Sequence, residues 1–150
     1  MVDEFSVAVT INSEPAEVWS ALTDPERMAK WIGEPEMRIE VHTDWRVDAP
    51  ILIRGFHHIK FENKGVVLKY EKERRLRYSH LSSVSRLPDE QESYSILDFR
   101  LTPLEHQTLL TLKIENFPTE AIRKHLEFYW RTTIITIKEM VENLDANQQC

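Results

Sequence analysis

Six histidines, His42, His57, His58, His80, His106 and His125, are the side chains best suited to proton transfer or metal ligation in this sequence. A metal site needs several such ligands converging at bonding distance. His57 and His58 are neighbours, and on a strand they would point to opposite faces. The other four fall in separate segments, so the spacing predicts no metal site. Nucleophilic chemistry has no better footing. No G-x-S-x-G elbow occurs, and the single cysteine, Cys150, is the last residue. A lone terminal thiol reads as inert, and the lack of an internal disulfide agrees with a reducing compartment. There is no phosphate-binding loop and no dinucleotide fingerprint. The carboxylates are mostly interspersed with bases on polar faces. Asp98 and Glu115 alternate outward on strands and read as solvated surface. Lys69, Lys72, Arg74, Arg75 and Arg77 form the one basic cluster, interrupted by Glu71 and Glu73, and read as a solvated hairpin end. No catalytic residue and no cofactor are expected from these patterns.

The elements that would position such groups follow from periodicity. Thr119 to Leu144 carries apolar side chains at Ile122, Leu126, Tyr129/Trp130, Thr133/Ile134, Ile137, Met140/Val141 and Leu144, one wide helical stripe. A helix of roughly 26 residues spans about 40 Å, enough to cross a small domain. Before it the period is mostly two. Phe5, Val7, Val9 and Ile11 alternate with polar or small residues and predict a strand. Two short helices follow. Ser13 caps the first, with Pro15 in its first turn. Thr23 and Glu26 form a capping box for the second, which Gly33 stops after Trp31-Ile32. Alternation then resumes at Met37, Ile39 and Val41, with a loop around Trp45 and Asp48 to Pro50. Further strands are expected over 51–56, 60–71, 75–84, 94–101 and 107–115. In 60–71 the row Val66, Leu68, Tyr70 is set against Val67, Lys69, Glu71, Val67 being an outward apolar residue that marks a contact surface. Gly65 marks a bulge or bend. Short turns between these strands favour an antiparallel sheet with one covered and one wet face.

The 150 residues fit one domain, 1–150, with a frayed tail at 145–150. Hydrophobic residues make up 41%, enough for a core without metal or disulfide staples. A net charge of −6 argues against a nucleic-acid partner, which would call for a basic surface. The apolar runs are too short for membrane insertion. The opening MVDEFSV places acid where a secretory leader needs base, so a cytoplasmic location is expected.

Several local signals stand in one order: Ile11-Asn12-Ser13-Glu14-Pro15-Ala16-Glu17-Val18-Trp19, Leu22-Thr23-Asp24-Pro25-Glu26 with Trp31, Arg75-Leu76-Arg77-Tyr78, and Phe117-Pro118-Thr119-Glu120 with Trp130. With the element order, they resemble the helix-grip fold of the START-like (SRPBCC, birch-pollen-allergen-like) superfamily, over essentially the full length. Within it the chain is similar to the family related to the C-terminal domain of the activator of the heat-shock-90 chaperone ATPase. The resemblance implies an α+β fold, with a curved antiparallel sheet around the long C-terminal helix and two short helices after the first strand. It also implies an apolar cavity between sheet and helix. Members bind lipids, sterols, polyketides or other apolar molecules, and some act on chaperones. The expected lining is Trp31, Trp45, Phe61, Leu68, Tyr78, His80, Leu97, Phe99, Leu112, Leu126, Tyr129, Trp130, Thr133 and Ile137. His80 extends the inward row of Leu76 and Tyr78. It reads either as a strand-end histidine near solvent or as a polar group at the cavity mouth. Tyr129 stands where a small residue before the Trp is common, which adds bulk between helix and sheet.

The resemblance implies three readings of function. The first is a non-enzymatic binder of a small hydrophobic molecule. The second is a chaperone co-factor or protein-interaction module, homodimer formation included. The third is a cyclase- or hydrolase-like enzyme using Tyr78 or His80. Single-domain relatives lack the extra domain of the eukaryotic activator, which lowers the chaperone reading.

Overall fold

The structure is a computed structural model that describes residues 4–148, with side chains described through Asn143. Seven strands form one antiparallel sheet: β1 (Glu4–Ile11), β2 (Glu40–His42), β3 (Pro50–His57), β4 (Ile59–Glu71), β5 (Arg75–Ser82), β6 (Ser95–Leu104) and β7 (Gln107–Glu115). Their spatial order is β1-β7-β6-β5-β4-β3-β2. Successive strands from β2 to β7 are neighbours, while β1 closes the far edge against β7, with Phe5 opposite Ile114 and Ile11 opposite Thr108. The chain crosses from one edge of the sheet to the other through α1 (Pro15–Thr23) and α2 (Pro25–Ile32). α3 (Glu120–Gln148) lies along the inner face. This is the helix-grip arrangement of the α+β class.

The inner rows are those that alternation predicts on five strands. Phe99 and Leu101 of β6, Leu110, Leu112 and Ile114 of β7, and Leu76 and Tyr78 of β5 are buried, as are Trp130, Ile134, Ile137 and Val141 of α3. β4 departs from the expectation. Its pairing with β5 shifts register between Val67 and Lys69, so Leu68 is the extra residue of a bulge. One extra residue inverts the phase. Val67 is fully buried, whereas Val66 and Leu68 are exposed. Val67 is therefore no outward contact residue, and Leu68 does not face inward. Only Tyr70, beyond the bulge, keeps the expected side, packing edge-on to Trp19.

Gly65 lies three residues before the bulge, within β4. A Cβ there would lie 1.7 Å from the Ser79 carbonyl oxygen, so the two strands approach in a way no other residue permits. The neighbouring Val66 N–H is satisfied by the Ser79 hydroxyl at 2.9 Å.

The helix ends differ in detail from the sequence reading. The Ser13 side chain does not cap α1. Its N-cap is Glu14, without a side-chain bond. Asp24, not Thr23, caps α2, its carboxylate accepting from the Glu26 N–H at 3.0 Å. Thr23 instead donates to the Trp19 carbonyl. α2 stops at Gly33 as expected, the glycine standing at the C-cap with extended backbone. Thr119 does cap α3, its hydroxyl accepting from the Ile122 N–H at 3.1 Å. The α3 backbone runs on to Gln148, and the remainder of the tail expected at 145–150, Cys150 included, lies outside the described residues. The strand expected from Met37 is shorter, because Pro35–Met37 form a 3-10 turn and pairing begins at Glu40.

On the outer face of the sheet, Asp98 is fully buried rather than solvated. Arg75 binds it with two donors, Nε at 3.0 Å and Nη2 at 2.7 Å, and Arg77 Nη1 adds a third at 2.9 Å. Arg77 also reaches Glu115, which pairs with Lys113. Part of the basic cluster at the hairpin is thus the counterion set of one buried carboxylate.

Candidate functional site

Between the inner face of β3–β6 and the N-terminal half of α3 lies a cleft of about 640 Å³. The sheet places Ile53, Phe61, Asn63, Tyr78, His80, Ser82 and Leu97 along it. α3 contributes His125, Leu126, Tyr129 and Trp130, and α2 contributes Trp31 and Ile32. The β3–β4 hairpin closes one end with His57, His58 and Ile59. Gly55 makes room for this wall. A Cβ there would meet Phe61 Cζ and Ile39 Cδ1 at 2.7 Å each. A second space of about 410 Å³ adjoins the first past His80, Ser82 and Leu126, and grows more polar with Ser85, Ser93 and Ser95. A larger hollow, about 820 Å³, lies at the β2–β4 edge. Glu36, Arg38, Glu40, Arg54, Lys60 and Glu62 line it beside Met37, Phe56 and Phe61, so its wall carries charges that the first cleft lacks.

Aromatic packing shapes the cleft. Trp130 stands against Trp31 at 5.6 Å and edge-on to Phe99 at 5.5 Å, between ring centroids. Its neighbour Tyr129 turns sideways and donates its hydroxyl to the Ile32 carbonyl at 2.8 Å. Trp31 Nε1 donates to the Ala21 carbonyl at 2.8 Å. The bulky Tyr129-Trp130 pair therefore braces α3 against α2 and leaves the cleft beside it.

Polar groups inside the cleft are shifted by burial. The Tyr78 hydroxyl is pushed well above the usual phenol range, and Tyr129 up to about 12, both chiefly by burial. His80 is pushed down to about 4 by burial and, secondarily, by His125, so its imidazole is neutral at pH 7. Asn63 Oδ1 is buried without a hydrogen-bond partner among the described residues. No cluster of metal-ligating side chains occurs among the described residues.

Eight of the fourteen residues expected at the site line this cleft: Trp31, Phe61, Tyr78, His80, Leu97, Leu126, Tyr129 and Trp130. The other six do not. Leu68 points away because of the bulge. Trp45 stacks on Tyr70 at 5.9 Å, and its Nε1 donates to the Thr23 carbonyl at 2.7 Å, tying its loop to the end of α1. Phe99 lies behind Trp130 and Tyr78 as core. Leu112, Thr133 and Ile137 belong to the filled half, where α3 meets the sheet without a gap.

The residues that sequence reasoning missed are mainly the hairpin histidines and His125. His58 has a left-handed backbone, φ 68°, in the tight β3–β4 turn. That turn brings the His57 and His58 rings together at 4.7 Å instead of splaying them to opposite faces. The His57-His58 pair beside Gly55 was the available signal. His125 stacks on Tyr129 at 6.3 Å, on the helix face one turn before it.

Comparison with known proteins agrees with this geometry. The family model described as Activator of Hsp90 ATPase homolog 1-like protein matches residues 12–142. Among solved structures, a protein from Cytophaga hutchinsonii is 29% identical, with a TM-score of 0.78 over 95% of this chain and 96% of that one. A protein from Chromobacterium violaceum is 22% identical, with a TM-score of 0.79 over 93% and 97% of the two chains. The Aha1 dimer from Colwellia psychrerythraea is 19% identical, with a TM-score of 0.74 over 95% and 97%. No curated protein sequence matches the chain.

Proposed function

The chain belongs to the Activator of Hsp90 ATPase homolog 1-like family, and from that premise we propose that it binds a small, largely apolar molecule in the cleft between the sheet and α3. The observation that carries the proposal is the cleft itself. Its volume of about 640 Å³ falls in the range of small-molecule sites, about 300–1,000 Å³. Aromatic and aliphatic side chains dominate the wall, with a few polar groups at one end. The binding is non-enzymatic in this reading. Native mass spectrometry and titration with a fluorescent lipid test it. Saturable one-to-one binding that Leu97→Trp abolishes is expected. Failure of any apolar probe to saturate would sink the reading.

The family description and one surface feature favour a second reading, a protein-interaction module. Phe128 is 79% exposed on the outer side of α3, and Ile135, two turns on, is also exposed. Apolar side chains so presented on one helix face suit a protein contact. A pull-down against the heat-shock-90 chaperone with an ATPase assay tests it. Binding lost in Phe128→Ser supports it, and no binding by the wild type removes it.

A further inference from the structure

Four of the six histidines of the chain line one cleft. They come from three walls: His57 and His58 from the β3–β4 turn, His80 from β5, and His125 from α3. His57, His58 and His125 are exposed at the rim, whereas His80 lies further in. None of the cleft residues is an aspartate, glutamate, lysine or arginine. The rim is therefore a set of imidazole N–H donors with no carboxylate to occupy them. Ser82 adds to this set. Its hydroxyl accepts from the Val84 N–H at 3.2 Å and retains its own proton for donation.

Resting on the reading of the cleft as an apolar-ligand site, we propose that its guest is a monoanionic amphiphile: an apolar body against Trp31, Phe61 and Trp130, and one carboxylate at the rim formed by His57, His58 and His125. The alternatives fit the groups less well. A cationic head would meet imidazoles and no carboxylate. A head with no polar atoms would leave the donors to water alone. A carboxylate accepts through two oxygens, each able to take an imidazole N–H.

The test uses two fluorescent probes, 1-pyrenebutanoic acid and its uncharged methyl ester, titrated into the full chain at pH 7. The acid is expected to bind about tenfold more tightly than the ester, the worth of one charge-assisted hydrogen bond beyond a neutral one. In the triple variant His57→Gln, His58→Asn, His125→Gln the acid should bind no more tightly than the ester. Asparagine suits position 58 because it tolerates the left-handed backbone. A far-UV circular dichroism spectrum and a melting point close to those of the wild type show that the variant is folded. An ester that binds as well as the acid, or a preference that survives the triple variant, overturns the proposal while leaving apolar binding standing. If neither probe binds the wild type, the apolar-ligand reading fails and this proposal with it.

Discussion

At the scale of single residues, two buried ionisable groups set separate pH windows. His80 titrates at about 4 in the fold, against 6.5 as its ordinary value. The unfolded chain then binds the proton more readily, so this contribution is complete above pH 6.5 and is lost as pH falls towards 4. Its size is on the order of 3 kcal/mol. Urea denaturation from pH 4 to 7 should show stability rising with pH, and His80→Gln should flatten that part of the curve. Asp98 acts lower. Burial alone would raise its pKa, but the hydrogen bonds of Arg75 and Arg77 and the charges of Arg75 and Arg100 outweigh it and hold it below 3.8. Its contribution is present above that value and is lost as pH falls through its own lower pKa. Asp98→Asn should cost about 2–4 kcal/mol at pH 7, since it strips the charge from two guanidinium partners, and it should remove the steep loss below pH 4. Asn63 is the opposite case. Its Oδ1 has no hydrogen-bond partner among the described residues, so Asn63→Leu should be neutral or stabilising by about 1 kcal/mol. A melting point lowered by more than a few degrees would mean that the amide is satisfied after all.

At the scale of elements, alternation located every strand but could not fix the phase of β4. The reason is the bulge at Leu68. A period of two has no memory of an inserted residue, so a correct strand gave a reversed face from Gly65 to Leu68. Gly65 in the sequence did signal the irregularity, because only glycine fits against the Ser79 carbonyl. Gly65→Ala should therefore cost more than about 3 kcal/mol in chemical denaturation, through separation of β4 from β5. The α3 stripe was legible because its register is continuous, and the Thr119 cap held. The His57-His58 pair was not legible, because its faces depend on a one-residue turn. Spacing along the chain carries no information on which wall His125 would share with that turn. The sequence thus located the floor of the cleft, Tyr78, His80, Leu97 and Trp130, and missed its rim.

At the scale of the whole molecule, the space under α3 is divided. Its C-terminal half packs solid, with Ile134, Ile137 and Val141 buried, and its N-terminal half borders the cleft. The same type of truncation should therefore cost different amounts. Ile137→Ala should lose about 3–4 kcal/mol, by creating a void in a filled region. Leu126→Ala should lose only about 1–2 kcal/mol, because its side chain already borders open space. Equal losses in thermal denaturation would mean that the cleft closes in solution.

The pairing of β1 with β7 has a consequence in time. Ile11 lies opposite Thr108, and the end of β1 is held by α3: Lys138 Nζ donates to the Thr10 carbonyl at 3.0 Å, and the Asn12 N–H donates to Glu142 at 2.8 Å. Both contacts join residues more than a hundred positions apart. Closing loops of that length is slow, and proteins rich in such contacts fold on the millisecond-to-second scale. β1 must wait for β7, which follows the whole meander, before it has a strand partner. The meander from β2 to β7 can pair as it emerges, but the cleft gains its second wall only once α3 has followed β7.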